Sequence, residues 1–384
     1  MQTYKRSYSA AVLAVAIVVV TAGHAWAQCS ELTSGLRFPL GIVGSNQGNL
    51  LVAETGSAGI PNSGRISIVG LNGNRRTLLD GLPSGSNDVG DPSGPAGLFM
   101  RGRTLFVVIG IGDSGLPGPA PLTLLQNPHP SSPLFSSVLA IHFSASVEER
   151  TGGFVLAPEH HLALAGGQEV ELSSEAGDRL TVEMVTNLPD STPAPVPGLP
   201  LNIRGSNPFA LVAFGDQFYV TDGGQNVVWR IDAATGDFGV LASFPPIANP
   251  LPFGPPSTDA VPTGIRLSNG GLLVTLFTGF PFAPGTSVVE RVDPATGTHA
   301  AFLTGLTTAI DVLPVTTGHA SSYLVLQHAS APVLSGPGQL IEIRDGVQTV
   351  AESCLTRPSS MTQEQKTGTL YVTEIVNGRV VVLR

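Results

Sequence analysis

A pattern of four short apolar segments separated by tight turns recurs along this chain, and it constrains the fold more than any other feature. Its clearest copy runs from Ser206 to Phe244, where β-branched and aromatic residues are punctuated by turn residues such as Gly215-Asp216. Segments of this length with this punctuation predict β-strands joined by hairpins. A small sheet is marginal in water by itself, so the copies are expected to pack against one another.

The copies share an apolar first strand, a second strand that ends in a polar residue, a loop, an alternating third strand and a last strand. The sixth copy stops before its last strand, and residues 29–36 (CSELTSGL) resemble the fourth strands of other copies. We therefore predict an all-β fold, a six-bladed β-propeller closed by the N-terminal strand, because radial repetition leaves only short, protected edges. The predicted blades of this single domain (28–384) lie near 36–82, 92–203 with an insertion at 145–203, 206–244, 260–306, 307–354, and 355–384 plus 29–36.

Residues 1–27 have the features of a secretory signal peptide. Lys5 and Arg6 precede an apolar run at 10–21, and Ala25-Trp26-Ala27 fits the cleavage pattern. The apolar run is short for a membrane span, and an uncleaved anchor is the alternative. The prediction is a secreted or periplasmic protein that has no membrane association after cleavage.

The chain is acidic, with a formal net charge of −9. This charge argues against nucleic acid and anionic membranes as partners, because both require basic surface. The remaining partner classes are a small molecule, a glycan or another protein, and we expect the chain itself to be a monomer.

The chain has two cysteines, Cys29 and Cys354, near the two ends of the predicted mature protein. An even number of cysteines in an exported protein permits a disulfide. If Cys29 lies on the closing strand and Cys354 ends the fifth repeat, the two occupy neighbouring blades and a disulfide would latch the ring. Two separate thiols are the alternative.

The predicted topology places the starts of first strands and the ends of second strands on one face, near the central channel. Several of the polar residues there could bind a ligand, or a divalent cation such as calcium, which prefers oxygen ligands. The alternative is that Glu54, Asp222 and Glu374 are turn residues that each copy needs. The candidate ligand-binding residues on this face are Glu54, Asp91, Asn207, Asp222, Asp311, His328 and Glu374, of which Asp91, Asn207, Asp222 and Asp311 are the candidate metal ligands.

The loops of this face are long and rich in glycine, proline and apolar residues, notably 277–286 with Phe280 and Phe282. Loops of this kind often form ligand surfaces, so both phenylalanines are candidate binding residues. Packing over the mouth of the channel is the alternative. The two Asp-x-Ala-Thr-Gly motifs at 232–236 and 293–297 are predicted to be hairpin turns on the opposite face.

Several short motifs follow one another in a fixed order along the chain. They are Gly64-Arg65-Ile66-Ser67, Pro92-Ser93-Gly94, Ser206-Asn207-Pro208-Phe209, Val261-Pro262-Thr263, Thr278-Gly279-Phe280-Pro281-Phe282 and Ile310-Asp311. Their order resembles the ScyD/ScyE family of exported proteins. The resemblance implies a six-bladed propeller similar to NHL-repeat and gluconolactonase-like propellers.

The chain departs from gluconolactonase-like enzymes at the channel, where those enzymes use a Glu/Asn/Asn/Asp metal set. The corresponding positions in this chain are apolar or small: Leu40, Ala96, Phe209, Thr263, Ile310 and Ser359. The favoured hypothesis is therefore a non-catalytic binding or scaffold protein that uses the loop-rich face. The alternative is a metal-dependent hydrolase or lyase of the gluconolactonase-like type that uses Asp91, Asn207, Asp222 and Asp311.

Overall fold

Six β-sheets surround a central channel in the computed structural model, which describes residues 29–87, 90–174, 176–317 and 320–383. Each sheet is one blade of a six-bladed β-propeller, which confirms the predicted fold class. The predicted signal peptide lies outside the described residues. Within the described ranges, no helix is long and apolar enough to cross a membrane.

Blades 1 to 3 each contain four antiparallel strands, which follow one another from the channel outward. In blade 1 they are Pro39–Gly44, Leu50–Glu54, Gly64–Val69 and Arg75–Leu82. In blade 2 they are Pro95–Arg101, Thr104–Ile109, Ser137–Phe143 and Arg179–Asn187. In blade 3 they are Pro208–Phe214, Gln217–Asp222, Val227–Asp232 and Phe238–Ser243.

Blades 4 to 6 follow the same order. In blade 4 the strands are Pro262–Ser268, Gly271–Leu276, Ser287–Val292 and His299–Leu306. In blade 5 they are Ala309–Thr317, Ala320–Gln327, Gly338–Arg344 and Val347–Leu355. In blade 6 they are Pro358–Gln363, Leu370–Glu374 and Arg379–Leu383, with Ser30–Ser34 from the other end of the chain as the fourth strand.

The first strand of every blade starts in the same way. A β-bulge follows its first residue in all six blades. That first residue is proline in five blades and Ala309 in blade 5. Proline lacks the N–H that a strand interior needs, so it is tolerated at the first residue of a strand. The repeated proline and bulge therefore mark the point at which each chain segment enters the sheet.

The loop-rich face is the end of the propeller at which first strands begin and second strands end. Because successive strands alternate in direction, the loops between second and third strands and the connections between blades lie there. Four small hairpins cover this face: Gly85–Ser86 with Pro92–Ser93, Gly115–Pro117 with Leu124–Gln126, Ser191–Pro193 with Ile203–Gly205, and Ile247–Ala248 with Ser257–Thr258. The opposite face is formed mainly by short turns.

An excursion between the third and fourth strands of blade 2 occupies the first part of the predicted insertion. It contains helix α1 (Ala145–Arg150) and helix α2 (Pro158–Ala165). Between them, Phe154–Val155 pairs in parallel with the fourth strand of blade 1. After them, Val170–Ser173 pairs with the fourth strand of blade 2. The excursion thus covers the outer edges of two blades, which would otherwise present unpaired backbone groups.

The hydrophobic core lies between the blades. Leu79 of blade 1 belongs to the same buried cluster as Leu105 and Leu139 of blade 2. Phe106 of blade 2 packs on Phe218 of blade 3, with ring centroids 4.5 Å apart. Each such side chain contributes about 1.5–3 kcal/mol when it is fully buried, so the interfaces between blades hold the ring together.

The predicted disulfide between Cys29 and Cys354 is present, with the two Cα atoms 6.0 Å apart. Cys29 immediately precedes the fourth strand of blade 6, and Cys354 lies in the fourth strand of blade 5. The bond therefore joins two adjacent blades at their outer strands.

Candidate functional site

Three candidate carboxylates occupy equivalent places at the ends of second strands. Glu54, Asp222 and Glu374 are fully buried. Each accepts a hydrogen bond from a backbone N–H that precedes the first strand of its own blade. The donors are Arg37 N at 2.6 Å, Asn207 N at 2.7 Å and Thr356 N at 2.7 Å, respectively. In blade 5 the amide oxygen of Gln327 accepts the corresponding bond from Thr307 N at 2.6 Å.

Other donors complete these carboxylate sites. In blade 3, Asp222 also accepts from Ser206 Oγ (2.5 Å), Gln225 N (3.0 Å) and Trp229 Nε1 (3.0 Å). In blade 6, Glu374 accepts from Arg379 Nε at 2.6 Å. The repeated carboxylates therefore fix the segment that leads into each first strand, and their oxygens are engaged within the blade.

The central channel is narrow where the first strands meet. Its cavity has a volume of about 30 Å³, and Leu40, Ala96, Phe209, Ile310 and Ser359 are among its lining residues. A volume of that size accommodates only a few water molecules. Five of the six apolar or small residues expected at the channel therefore line this cavity, Thr263 is not among its lining residues, and the cavity is too small for an organic ligand.

Asp311 is the candidate carboxylate that lines the channel. It is buried and forms a two-pronged ion pair with Arg266 of blade 4, at 3.1 Å from Nε and 2.6 Å from Nη2. It also accepts from Met361 N of blade 6 at 3.0 Å. Asp311 thus connects three blades around the channel, and charge-assisted bonds of this kind are among the stronger hydrogen bonds in proteins.

Asp91 and Asn207 are placed differently from each other. Asp91 is exposed in a hairpin loop, where its N–H donates to Asn87 Oδ1 at 2.9 Å. Asn207 is half-buried beside Asp222, and its Oδ1 accepts from Ile111 N at 3.3 Å. Of the four candidate metal ligands, the structure brings Asn207 and Asp222 into contact and gives Asp311 a separate network.

Among the residues that the structure describes, one group brings three side chains of the His, Cys, Asp and Glu types within ligating reach of one another. It consists of Cys29, Glu352 and Cys354. Both sulfurs belong to the disulfide, so neither is a thiolate that could bind a metal. This group does not include any of the candidate metal ligands.

An aromatic cluster stands on the loop-rich face over blades 4 and 5. The Phe282 ring makes edge contacts with Phe277 and with Phe280, at centroid distances of 5.8 and 6.3 Å. Phe277 in turn contacts the ring of His328, at 5.6 Å. The Phe280 side chain is 48% exposed, so the cluster presents an aromatic ring to solvent.

Backbone hydrogen bonds hold the loop that carries these rings, residues 277–286, in place. Phe277 N, Thr278 N and Gly279 N donate in sequence to the carbonyls of residues 261, 260 and 259, at 2.9–3.0 Å. Val333 N of the blade 5 loop donates to Pro281 O at 3.0 Å. The aromatic loop is thus tied both to the connection from blade 3 and to blade 5, and its rings are held in position before any ligand arrives.

Two neighbouring loops extend the apolar surface around Phe280. Phe253 and Val333 are 45% and 56% exposed. A β-carbon at Gly254 would lie 3.3 Å from the Phe280 ring, which shows how closely the hairpin loop of 249–256 approaches it. Together, Phe253, Phe280, Phe282 and Val333 form the apolar patch, which therefore draws on three separate loops.

His328 lies beneath this patch at the end of the second strand of blade 5. Its Nδ1–H donates to Pro358 O at 2.9 Å, because a carbonyl oxygen can only accept. Burial lowers the pKa of His328 to about 4, and the bond to Pro358 opposes that shift in part. The imidazole is therefore neutral at physiological pH and contributes no charge to the patch.

The sequence did not single out Arg266 or Phe253, although both contribute to the sites described above. The partner of Arg266 is 45 residues away on the next blade. Phe253 lies in a proline-rich connection that has no feature of a strand. Their roles depend on which blades become neighbours, and no local pattern reports that.

Comparisons with known proteins support the fold. No protein-family model and no curated protein matches the sequence, so the resemblance to the ScyD/ScyE family is not confirmed. An auxiliary nutrient binding protein from Bacteroides thetaiotaomicron is similar over 91% of this chain and 69% of its own, with a TM-score of 0.51 and 7% identity. A chain of the nidogen/laminin complex is similar over 84% of this chain and 86% of its own, with a TM-score of 0.45 and 12% identity. At 7% identity, the first of these shows a shared fold and nothing more.

Proposed function

We propose that this protein is an exported, non-catalytic binding or scaffold protein that holds its ligand on the loop-rich face. The observation that carries the proposal is the apolar patch, in which Phe280 is half-exposed while the backbone beneath it is fixed. A rigid aromatic side chain that is already positioned loses little conformational entropy on binding, so it makes an effective anchor. The ligand is a small molecule, glycan or protein that presents an apolar or aromatic surface.

Export is part of the same proposal. The signal-like sequence at residues 1–27 supports it, and so does the disulfide, because disulfides persist in oxidising compartments. Membership of the ScyD/ScyE family is likewise proposed, on the order of the shared motifs. We expect a monomer that binds neither nucleic acid nor membranes, in keeping with the acidic net charge.

A neutral aromatic dye, N-phenyl-1-naphthylamine, tests whether the patch binds aromatic surfaces. Its fluorescence should rise on addition of the wild-type protein, and Phe280→Ser should remove most of that rise. Phe214→Ser is the matched control, because Phe214 is 45% exposed on the opposite face. Equal dye binding by all three proteins would remove the support for the patch as a binding surface.

A further inference from the structure

An open cavity of about 450 Å³ lies on the opposite face of the propeller, at the foot of blade 4. Its walls come from the turn at 269–271 between the first and second strands and from the turn at 293–299 between the third and fourth strands. The volume falls within the range of small-molecule sites, which are commonly 300–1,000 Å³. This cavity is separate from the loop-rich face and from the central channel.

Arg291 lines the cavity and is held on an aromatic shelf. Its guanidinium carbon lies 4.3 Å from the centroid of the Phe302 ring. Phe302 packs edge-on against Tyr323 at 5.1 Å, so the shelf itself is fixed. Arginine stacked on an aromatic face in this way keeps its planar fork of N–H donors in one orientation.

Arg291 has no acidic partner among the described residues. Its Nε is buried and has no hydrogen-bond acceptor within that part of the chain. The adjacent acidic residue, Glu290, is instead paired with His299, because its Oε2 lies 3.3 Å from the Nδ1 of His299. A ligand in the cavity cannot reach that buried atom of Arg291, so an incoming acceptor would pair with the two terminal Nη groups, for which no described residue serves as an acceptor.

The remaining charge at the cavity restricts the ligand. Asp293 is exposed, and its carboxylate accepts from the N–H groups of Ala295 and Thr296 at 2.9 and 2.8 Å. These bonds lower the pKa of Asp293, so its carboxylate places a negative charge at the wall of the cavity. His299 also lines the cavity, with its Nδ1 3.3 Å from the Glu290 carboxylate.

The positive charge of Arg291 attracts an anion, and the negative charge of Asp293 favours a ligand with a single negative charge over a phosphate dianion, which Asp293 would repel more strongly. A planar carboxylate also matches two parallel N–H donors of arginine.

We propose that this cavity binds a small organic monocarboxylate whose carboxylate pairs with Arg291. The apolar part of the ligand lies against Pro294 and Ala300, which line the same cavity. The site is independent of the apolar patch, so either proposal can fail without the other.

Calorimetric titration of the purified protein with benzoate tests the proposal. Benzoate should bind saturably at one site, and Arg291→Gln should weaken binding about tenfold or more, since charged hydrogen bonds are lost. Arg150→Gln is the control, because it removes the same charge from an exposed position at the end of helix α1, beside blade 2, and should leave the affinity within about twofold. Arg291→Lys keeps the charge and loses the fork, so it should bind benzoate more weakly than the wild type.

Several results would overturn this assignment. They are the absence of saturable benzoate binding, an equal affinity in Arg291→Gln, and tighter binding of inorganic phosphate than of benzoate. If circular dichroism shows that Arg291→Gln is unfolded, the comparison of Arg291→Lys with Arg150→Gln decides. An unchanged benzoate affinity in Arg291→Lys would then count against the carboxylate pairing.

Discussion

Removal of the Cys29–Cys354 disulfide should destabilise the propeller substantially, because the bond closes almost the whole chain into one loop. The two cysteines are 325 residues apart in sequence. For a loop of that length, the chain-entropy treatment gives about 6 kcal/mol at 25 °C, and measured losses for native disulfides are commonly about 2–5 kcal/mol. We therefore expect Cys29→Ser/Cys354→Ser to lose about 2–5 kcal/mol in the free energy of unfolding.

The loss should begin at the seam between the two ends of the chain. The strand Ser30–Ser34 is largely exposed and, among the described strands, pairs only with Arg379–Leu383, across a bulge. Apart from the disulfide and that pairing, a contact between Glu31 and Arg379 at 3.7 Å helps to hold it. Partly exposed ion pairs of this kind contribute little, so the strand pairing and the disulfide provide most of the restraint on this strand.

Urea unfolding and amide hydrogen exchange together measure both effects. The double variant should unfold at lower urea concentration than the oxidised wild type, and reductant should lower the midpoint of the wild type but not of the variant. Exchange at Ser30–Ser34 and Arg379–Leu383 should accelerate before exchange elsewhere. Equal midpoints for the oxidised wild type and the double variant, with unchanged exchange at the seam, would show that the disulfide does not stabilise the closure of the ring.

Three further predictions concern buried polar groups. Asp222→Ala leaves four donors without their acceptor and should lower the free energy of unfolding, measured in urea, by about 3 kcal/mol or more. The control Asp216→Ala, at an exposed turn, should change it by about 0.5 kcal/mol or less. Burial lowers the pKa of His328 from 6.5 to about 4, so between these pH values the imidazole is protonated in the unfolded chain and neutral in the folded protein. The free energy of unfolding should therefore fall by about 3 kcal/mol as the pH drops from 6.5 to about 4. His328→Gln should flatten this part of the stability curve. Calcium should leave the melting temperature unchanged, because all four carboxylate oxygens of Asp222 and Asp311 already accept hydrogen bonds; a calcium-dependent rise would instead favour the metal-dependent hydrolase.

The repeats were predictable from the sequence because each blade is encoded locally. The turns at 232–236 and 293–297 illustrate this, since Asp232 and Asp293 each accept two N–H groups from the next three residues. Such short-range bonds depend only on neighbouring residues. The same holds for strand alternation, so strands and hairpins could be placed without knowledge of the rest of the molecule.

The features that sequence reasoning did not supply depend on contacts between distant segments. The fourth strand of blade 2, Arg179–Asn187, returns to its sheet after an excursion that pairs partly with blade 1. The ion pair of Arg266 with Asp311 joins two blades. Phe280 and Phe282 were singled out because they share one unusual loop, but the patch to which they contribute also draws on Phe253 and Val333 from neighbouring loops. Local patterns cannot report which loops meet.

Amide hydrogen exchange with and without N-phenyl-1-naphthylamine locates the binding surface on the folded protein. We expect the dye to protect residues 277–286 and 329–338, and we expect Phe280→Ser to abolish this protection while Phe214→Ser preserves it. Protection confined to the opposite face or to the outer strands of the blades would contradict the assignment of the loop-rich face as the binding surface.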